Sequence, residues 1–274
     1  MSPIRTLIPM GLADFEPTIE FLARRPIEHA QLLALARRAQ ATLGLRRKFR
    51  LGYSNDGQLN TVIFQSPQTI VSHSDPGITA NFPLLPHRSL RMLTGPPAQV
   101  SAYLARHQRT EQRSPRLDAH QQLYLLTSLA LEPAFFSREV SEADVDDLDL
   151  VTHGTAHMIQ EELGYDPSQR PTFRQEILQQ ILARRWWIAK ADQLHLLCRV
   201  GATTQQTMQL ECIWAPPAAR GVGHATRALA TICAQLLQRR PTLSLAVNDH
   251  NTRARKLYER LGFVPHSTQR TILW

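Results

Sequence analysis

Two stretches in the C-terminal third combine residue types that can do chemistry. The first is Arg220-Gly221-Val222-Gly223-His224-Ala225. It follows a strand-like run, Met208 to Ala215, that halts at Pro216-Pro217, since proline cannot donate to a β ladder. It opens a long apolar helix through Ala228, Leu229, Ile232, Leu236 and Leu237. A strand that delivers a glycine-containing turn to a helix start is phosphate-binding geometry. The first-turn amides lack partners, the helix dipole is positive there, and glycine lets the backbone approach an oxygen closely. Arg220 adds a positive charge suited to the same anion. On the preceding strand Glu211 sits two positions before Ile213, so simple alternation puts both side chains on one face. A carboxylate on a mostly apolar strand needs a reason. A base working through water is one, and an ion pair or solvated position is another.

The second stretch starts with a predicted strand, Leu243 to Val247. Asn248-Asp249-His250-Asn251 then forms a turn whose last residue suits an N-cap, and a short helix, Ala254 to Leu261, ends at Gly262-Phe263. Tyr258 follows Asn251 by two helical turns and so returns to the face that carries the cap.

In this order and separation the two stretches resemble the GNAT acetyltransferase superfamily. Pro216-x-x-x-Arg220-Gly221-x-Gly223-x-Ala225 is similar to its acyl-CoA pyrophosphate loop. Val247-Asn248-x-x-Asn251-x-x-Ala254-x-x-Leu257-Tyr258-x-x-x-Gly262-Phe263 is similar to its second cofactor motif. The resemblance runs from roughly residue 138 to the C-terminus. It implies an α+β GNAT fold, a mixed central sheet flanked by helices, and acetyl-CoA as cosubstrate in direct acetyl transfer to an amine acceptor. It also assigns roles. Arg220, Gly221, Val222, Gly223, His224 and Ala225 would hold the pyrophosphate. The backbone of Ile213, Trp214 and Ala215 would serve the thioester carbonyl and the pantetheine, and Asn248 and Asn251 would contact the cofactor. Tyr258 would protonate the departing thiolate, a task that suits a phenol of pKa near 10. Glu211 is the candidate base. Ala246 stands where relatives that acetylate protein N-termini carry glutamate, which argues against that mechanism here.

The 274 residues suit two domains of modest size, and 43% hydrophobic with 20% charged residues is a globular composition. No apolar run approaches membrane length and MSPIRTLIPMG lacks a signal-peptide core, so a cytoplasmic protein without a membrane partner is expected. Cys198, Cys212 and Cys233 are too few and too scattered for a disulfide framework or a zinc site, and no metal is expected. The net charge of +8 is mostly arginine, Lys48, Lys190 and Lys256 being the only lysines. A composition bias of the source explains that as readily as a ligand does. Without an aromatic-interleaved basic motif, nucleic acid is not an expected partner. Two other readings remain open: a non-catalytic acyl-CoA-binding or sensing protein, and an RNA- or ribosome-associated protein on the same scaffold. A homodimer is also left open.

These residues must be positioned by the elements around them. Residues 20–45 read as a helix restarted at Pro26 and stopped by Gly44. Strands are predicted at Phe49 to Tyr53, Leu59 to Gln65 and Thr69 to Ser72, the first two joined by an Asn55-Asp56-Gly57 turn. An irregular stretch, His73 to Pro86, precedes a strand at Leu90 to Leu93. A helix opens at Gly95-Pro96-Pro97, and Leu123 to Leu126 is a further strand. The second half repeats the order. A strand at Arg138 to Val140 and a helix from Glu142 to Leu163 come first; Glu161 and Glu162 end that helix, which in the resembled relatives lines the acceptor site, a solvated helix face being the stronger reading of the two residues. A helix at Phe173 to Arg184 follows, then strands at Trp187 to Ala191, Leu194 to Val200 and Met208 to Ala215, and a terminal strand spans Thr268 to Trp274. We therefore expect two tandem GNAT-like domains, 1–134 and 135–274, with the chemistry in the second. The first is expected to be degenerate, because Ser74-Asp75-Pro76-Gly77 replaces the glycine loop. This arrangement resembles tandem GNAT proteins such as mycothiol synthase, and actinobacterial GNAT proteins of unassigned function.

Overall fold

The computed structural model describes residues 7–54, 56–74, 90–110, 114–132 and 135–274, with backbone alone over 106–110. Asn55, most of the stretch 73–86, Asp75 to Gly77 and the Pro133-Ala134 break between the two halves lie outside the described residues. The chain divides into two compact units. One comprises Met1–Leu123, Ala246–His250 and His266–Trp274; the other comprises Tyr124–Leu245 and Asn251–Pro265.

In chain order the first unit begins with β1 (Leu7–Pro9), α1 (Phe15–Ala23), α2 (Ala30–Ala41) and α3 (Leu43–Arg46). It continues with β2 (Phe49–Tyr53), β3 (Leu59–Phe64), β4 (Gln68–Val71), β5 (Met92–Gly95), α4 (Pro97–Thr110) and most of β6 (Leu117–Leu126). β2, β3 and β4 form an antiparallel meander, and β4 then pairs with β5 in parallel. The helical segment predicted over 20–45 is three separate helices, with Pro26 in the gap between α1 and α2. Leu22, Leu32, Leu33, Ala36 and Ala39 pack against Phe49, Leu51, Val62 and Phe64 as one core. The spacing of the α2 residues puts them on one helix face, which is why the helix lies on the sheet. β6 is longer than predicted because its first half, Leu117-Asp118-Ala119-His120-Gln121-Gln122, is largely polar and does not read as a strand.

The second unit holds β7 (Val140–Glu142), α5 (Leu148–Leu163), α6 (Phe173–Leu182), β8 (Trp186–Lys190), β9 (Leu194–Thr203) and β10 (Thr207–Trp214). After these come α7 (His224–Leu237), β11 (Thr242–Asn248), α8 (Thr252–Leu261) and β12 (Val264–Leu273), with the end of β11 from Ala246 and all of β12 from His266 belonging to the first unit. The strand order here is β11-β10-β9-β8-β7. α5 starts later than predicted: a short 3₁₀ turn precedes it, held by a capping box in which the Asp144 side chain and Asp147 satisfy each other's backbone. One core joins Val151 and Met158 of α5 and Phe173, Ile177 and Ile181 of α6 to Trp186, Ile188, Leu197 and Trp214 of the strands. Burying each such side chain contributes about 1.5–3 kcal/mol, so this packing fixes the end of β10, where the site lies.

β10 runs antiparallel to β9 and parallel to β11, but its pairing with β11 extends only from Thr207–Thr242 to Leu210–Leu245. Beyond that, Cys212 takes a left-handed φ of 50°. Glu211 pairs with Arg199 and Trp214 with Leu197, so three steps along β10 oppose two along β9. This is a β-bulge, and it bends β10 away from its parallel neighbour. It also breaks the alternation from which Glu211 and Ile213 were expected to share a face.

Candidate active site

Where β10 leaves β11, a cavity of about 610 Å³ opens within the second unit. Its walls include Ile213, Trp214 and Ala215 at the end of β10, and Arg220, Gly221, Gly223 and Ala225 at the entrance to α7. Asn251 and Tyr258 of the α8 segment complete the predicted residues found there. Val222, His224, Asn248 and Glu211 are not among its lining residues. Val222 points out, 62% exposed. The His224 ring stacks on His195, with centroids 4.5 Å apart, and its Nδ1 lies 3.2 Å from Arg227 Nη2. Asn248 Oδ1 accepts a hydrogen bond from Gln121 Nε2 at 3.0 Å.

Gly221 and Gly223 have φ of 86° and 85°, a region closed to most side chains by steric strain. A Cβ built at either would meet nothing within 4 Å. The backbone needs glycine for its own conformation, and the space in front of it is open. Gly223 is also the N-cap of α7 and offers no side-chain acceptor to the first-turn amides, which leaves them for a ligand. α8 starts differently: Asn251 Oδ1 accepts from the Ala254 N–H at 3.1 Å, the side-chain cap that its position predicts.

Arg220 is engaged in three directions. Its Nη2 donates to Glu161 Oε2 at 2.7 Å, its Nε donates to the Ala215 carbonyl at 2.8 Å, and its guanidinium lies 6.0 Å from the Trp214 ring centroid. The Trp214 indole N–H donates to the same Glu161 oxygen at 3.0 Å. Glu161 therefore ties the end of α5 to the end of β10 and to the glycine loop. Glu161 and Glu162 keep the exposed helix face expected of them and also line the cavity, where Glu161 is the acceptor for the Trp214 indole N–H and Arg220. The two carboxyls are pushed apart. Burial raises that of Glu161, but the hydrogen bonds from Trp214 and Arg220 outweigh it and hold the group below its ordinary range. Glu162 keeps accessible surface on a concave wall, where the surrounding protein and then the Glu161 charge push it above that range.

Tyr258 is 7% exposed, and its ring packs edge-on against Phe263 and tilted against Tyr124, at 5.8 and 6.4 Å between centroids. Burial raises its phenol further above its already high ordinary value, so the hydroxyl stays protonated through the neutral range. Glu211 is placed otherwise. Arg199 Nη2 donates to Glu211 Oε2 at 2.6 Å, and Arg199 Nη1 reaches Gln180 Oε1 of α6 at 3.2 Å. A Cβ at Gly201 would overlap the Glu211 carboxyl, so the glycine on β9 makes its berth. Arg253, Lys256 and Arg260 also line the cavity, at helical spacings of three and four along α8. That spacing was present in the sequence as the signal of a single basic face.

Among the described residues no three metal-binding side chains cluster, and no helix is long and apolar enough to cross a membrane. Residues 156–263, which span every wall of the cavity, match the sequence model of the acetyltransferase (GNAT) family. No curated protein matches the sequence. Among solved structures, the chain is similar in fold to a Drosophila malonogaster protein, at TM-score 0.62 and 11% identity over 98% of each chain. It is similar to a GCN5-related N-acetyltransferase from Sphaerobacter thermophilus, at TM-score 0.60 and 16% identity over 99% of this chain and 96% of that one. A tandem GNAT protein from the clavulanic acid biosynthesis pathway gives TM-score 0.51 and 14% identity over 98% and 97%. At such identities the likeness is one of fold.

Proposed function

We propose that the chain is an acetyl-CoA-dependent N-acetyltransferase that passes the acetyl group directly to an amine. The observation that carries this reading is the pair of left-handed glycines, Gly221 and Gly223. They face open space and lead into an α7 with no side-chain cap, on the same cavity as Tyr258. The residues present fit the cosubstrate. The loop amides and the α7 dipole suit its pyrophosphate, with Arg253, Lys256 and Arg260 adding positive charge on the facing helix. The gap beside the bulge suits its pantetheine arm, and the backbone of Ile213 to Ala215, beyond the last β11 pair, lies along that gap. Arg220 then acts as a clamp that sets the loop, since its charge is already met by Glu161. Tyr258 keeps its proton until a thiolate leaves and then donates it. In this reading residues 135–274 carry the chemistry and residues 1–134 are a degenerate copy.

The test is acetyl-CoA turnover, followed as release of the CoA thiol together with the acetylated amine by mass spectrometry. Acetyl transfer to at least one primary amine is expected; failure to bind CoA at all contradicts the proposal. A second reading, acyl-CoA binding without turnover, draws on Glu211: the carboxylate expected to be the base is held by Arg199 away from the cavity.

A further inference from the structure

Glu161 and Glu162 are neighbours on the last turn of α5, and both face the cavity. They do not share a task. Glu161 is saturated by Arg220 and Trp214. Glu162 is exposed on that wall and has no hydrogen bond or ion pair to protein among the described residues, which leaves its carboxylate open to a ligand in the cavity. Its surroundings are in the right place for chemistry. Tyr258 is on the same cavity, and so are the end of β10 and the glycine loop.

Resting on the acetyltransferase reading above, we propose that Glu162 is the general base of the transfer and the seat of the acceptor's ammonium group, which selects cationic primary amines as substrates. Glu162 takes one proton from the bound ammonium and passes it to solvent. The neutral nitrogen attacks the thioester carbonyl; a C–N bond forms and the C–S bond breaks. The nitrogen loses its second proton as the sulfur gains one from Tyr258, and the phenol is restored from that released proton. The balance is one ammonium and one thioester in, and one amide, one thiol and one proton out.

The other ionisable groups around Glu162 agree with this role. Burial, then the charges of Cys198 and Glu162, raise the phenol of Tyr258, and both side chains line the same cavity. Cys212 of β10 is raised to about 11 by burial, against the opposing pull of Arg199, and stays a thiol. Arg220 is neutralised by Glu161, and Lys256 and Arg260 lie along α8. A pair of neighbouring carboxyls whose environments drive them apart is the usual mark of one structural and one proton-transferring group. Glu162, pushed above the ordinary glutamate range by the surrounding protein and then the Glu161 charge, is a stronger base than an unperturbed glutamate.

The test compares the intact chain with Glu162→Gln. CoA binding by calorimetry is expected to be equal in the two; no binding by the parent would sink the transferase reading and the Glu162 role with it, whereas CoA binding with any adverse result below would overturn the Glu162 assignment alone. Turnover is followed across pH with propane-1,3-diamine, which enters protonated, and with hydroxylamine, which is neutral near neutral pH. The variant should lose about 10²-fold or more with the diamine and far less with hydroxylamine, and the acidic limb of the parent profile should vanish. The carboxyl carbon of Glu162, followed by NMR in ¹³C-glutamate protein saturated with CoA, should titrate above the ordinary glutamate range and shift when the diamine is added. Parental turnover of the diamine by Glu162→Gln, equal losses with both nucleophiles, or an ordinary titration unmoved by the diamine would each overturn the proposal.

Discussion

The two units build the same four-strand pattern and finish it differently. β2, β3 and β4 form an antiparallel meander followed by parallel β5; β8, β9 and β10 form another followed by parallel β11. β4 is four residues long and pairs with β3 in unbroken register. Val71, Leu90, Leu93, Val100 and Tyr103 fill the space beside it as a core. β10 carries the bulge at Cys212, parts from β11 after four paired positions, and leaves a cavity there. The shared pattern makes a scaffold, and a single irregular residue with a glycine turn behind it makes a site. The ionisable groups differ in the same way. The second unit holds carboxyls and a phenol at a cavity, whereas the first buries His29 as a structural neutral ring. There its Nδ1 faces the Leu22 carbonyl at 3.1 Å and its Nε2 accepts from the His73 backbone N–H at 3.0 Å.

The largest effect that would sharpen this contrast is expected at Tyr258. Tyr258→Phe keeps the ring between Phe263 and Tyr124 and removes only the hydroxyl, so the melting temperature and CoA affinity should stay near the parent. Turnover should fall about 10²–10⁴-fold. Parental rates in the variant would make Tyr258 a packing residue and erase the difference in chemistry between the units.

The next effect belongs to the first unit. Burial, above all, lowers His29 to about 4, with the Leu22 hydrogen bond opposing and the charge of His73 adding to the shift. The folded state binds this proton less readily than the unfolded chain. Stability is therefore complete above the ordinary histidine range and is lost as pH falls from there towards 4, by up to about 3 kcal/mol. Glu28 and Arg25 also face the ring, with opposite signs. Chemical denaturation at about pH 7 and about pH 5 should show the loss in the parent and a smaller one in His29→Gln. A parent equally stable at both would contradict the buried neutral ring.

A smaller effect tests the α8 cap. Asn251→Ala removes the acceptor of the Ala254 N–H and should cost about 1 kcal/mol. CoA affinity should fall with it if Asn251 also faces the cosubstrate. A stability loss with unchanged affinity would reduce Asn251 to a cap.

Much of this was legible in the sequence. β2 was placed at Phe49 to Tyr53, and β3, β8, β9, β10 and β11 to within a few residues, because their apolar runs are bounded by turn residues. Arg220 to Ala225 announced a helix start, and Gly262 announced the end of α8. The bulge was not legible. Neither glycine nor proline marks Cys212, and one residue out of phase turns Glu211 toward Arg199 where alternation put it beside Ile213. Nor could sequence separate Glu161 from Glu162. Their difference depends on which of two adjacent carboxyls reaches the Trp214 indole and Arg220, and that is settled by packing between α5 and β10.

The central claim is that only the second unit has a cosubstrate site and that its glycine turn makes it. Calorimetric titration of the full chain with CoA, repeated on Gly221→Val and Gly223→Val, tests this most directly. The account predicts one CoA per chain and an affinity at least about tenfold weaker in each variant, because valine is strained at a left-handed φ and occupies the open space before the amides. Two CoA per chain, or full affinity in both folded variants, would contradict it.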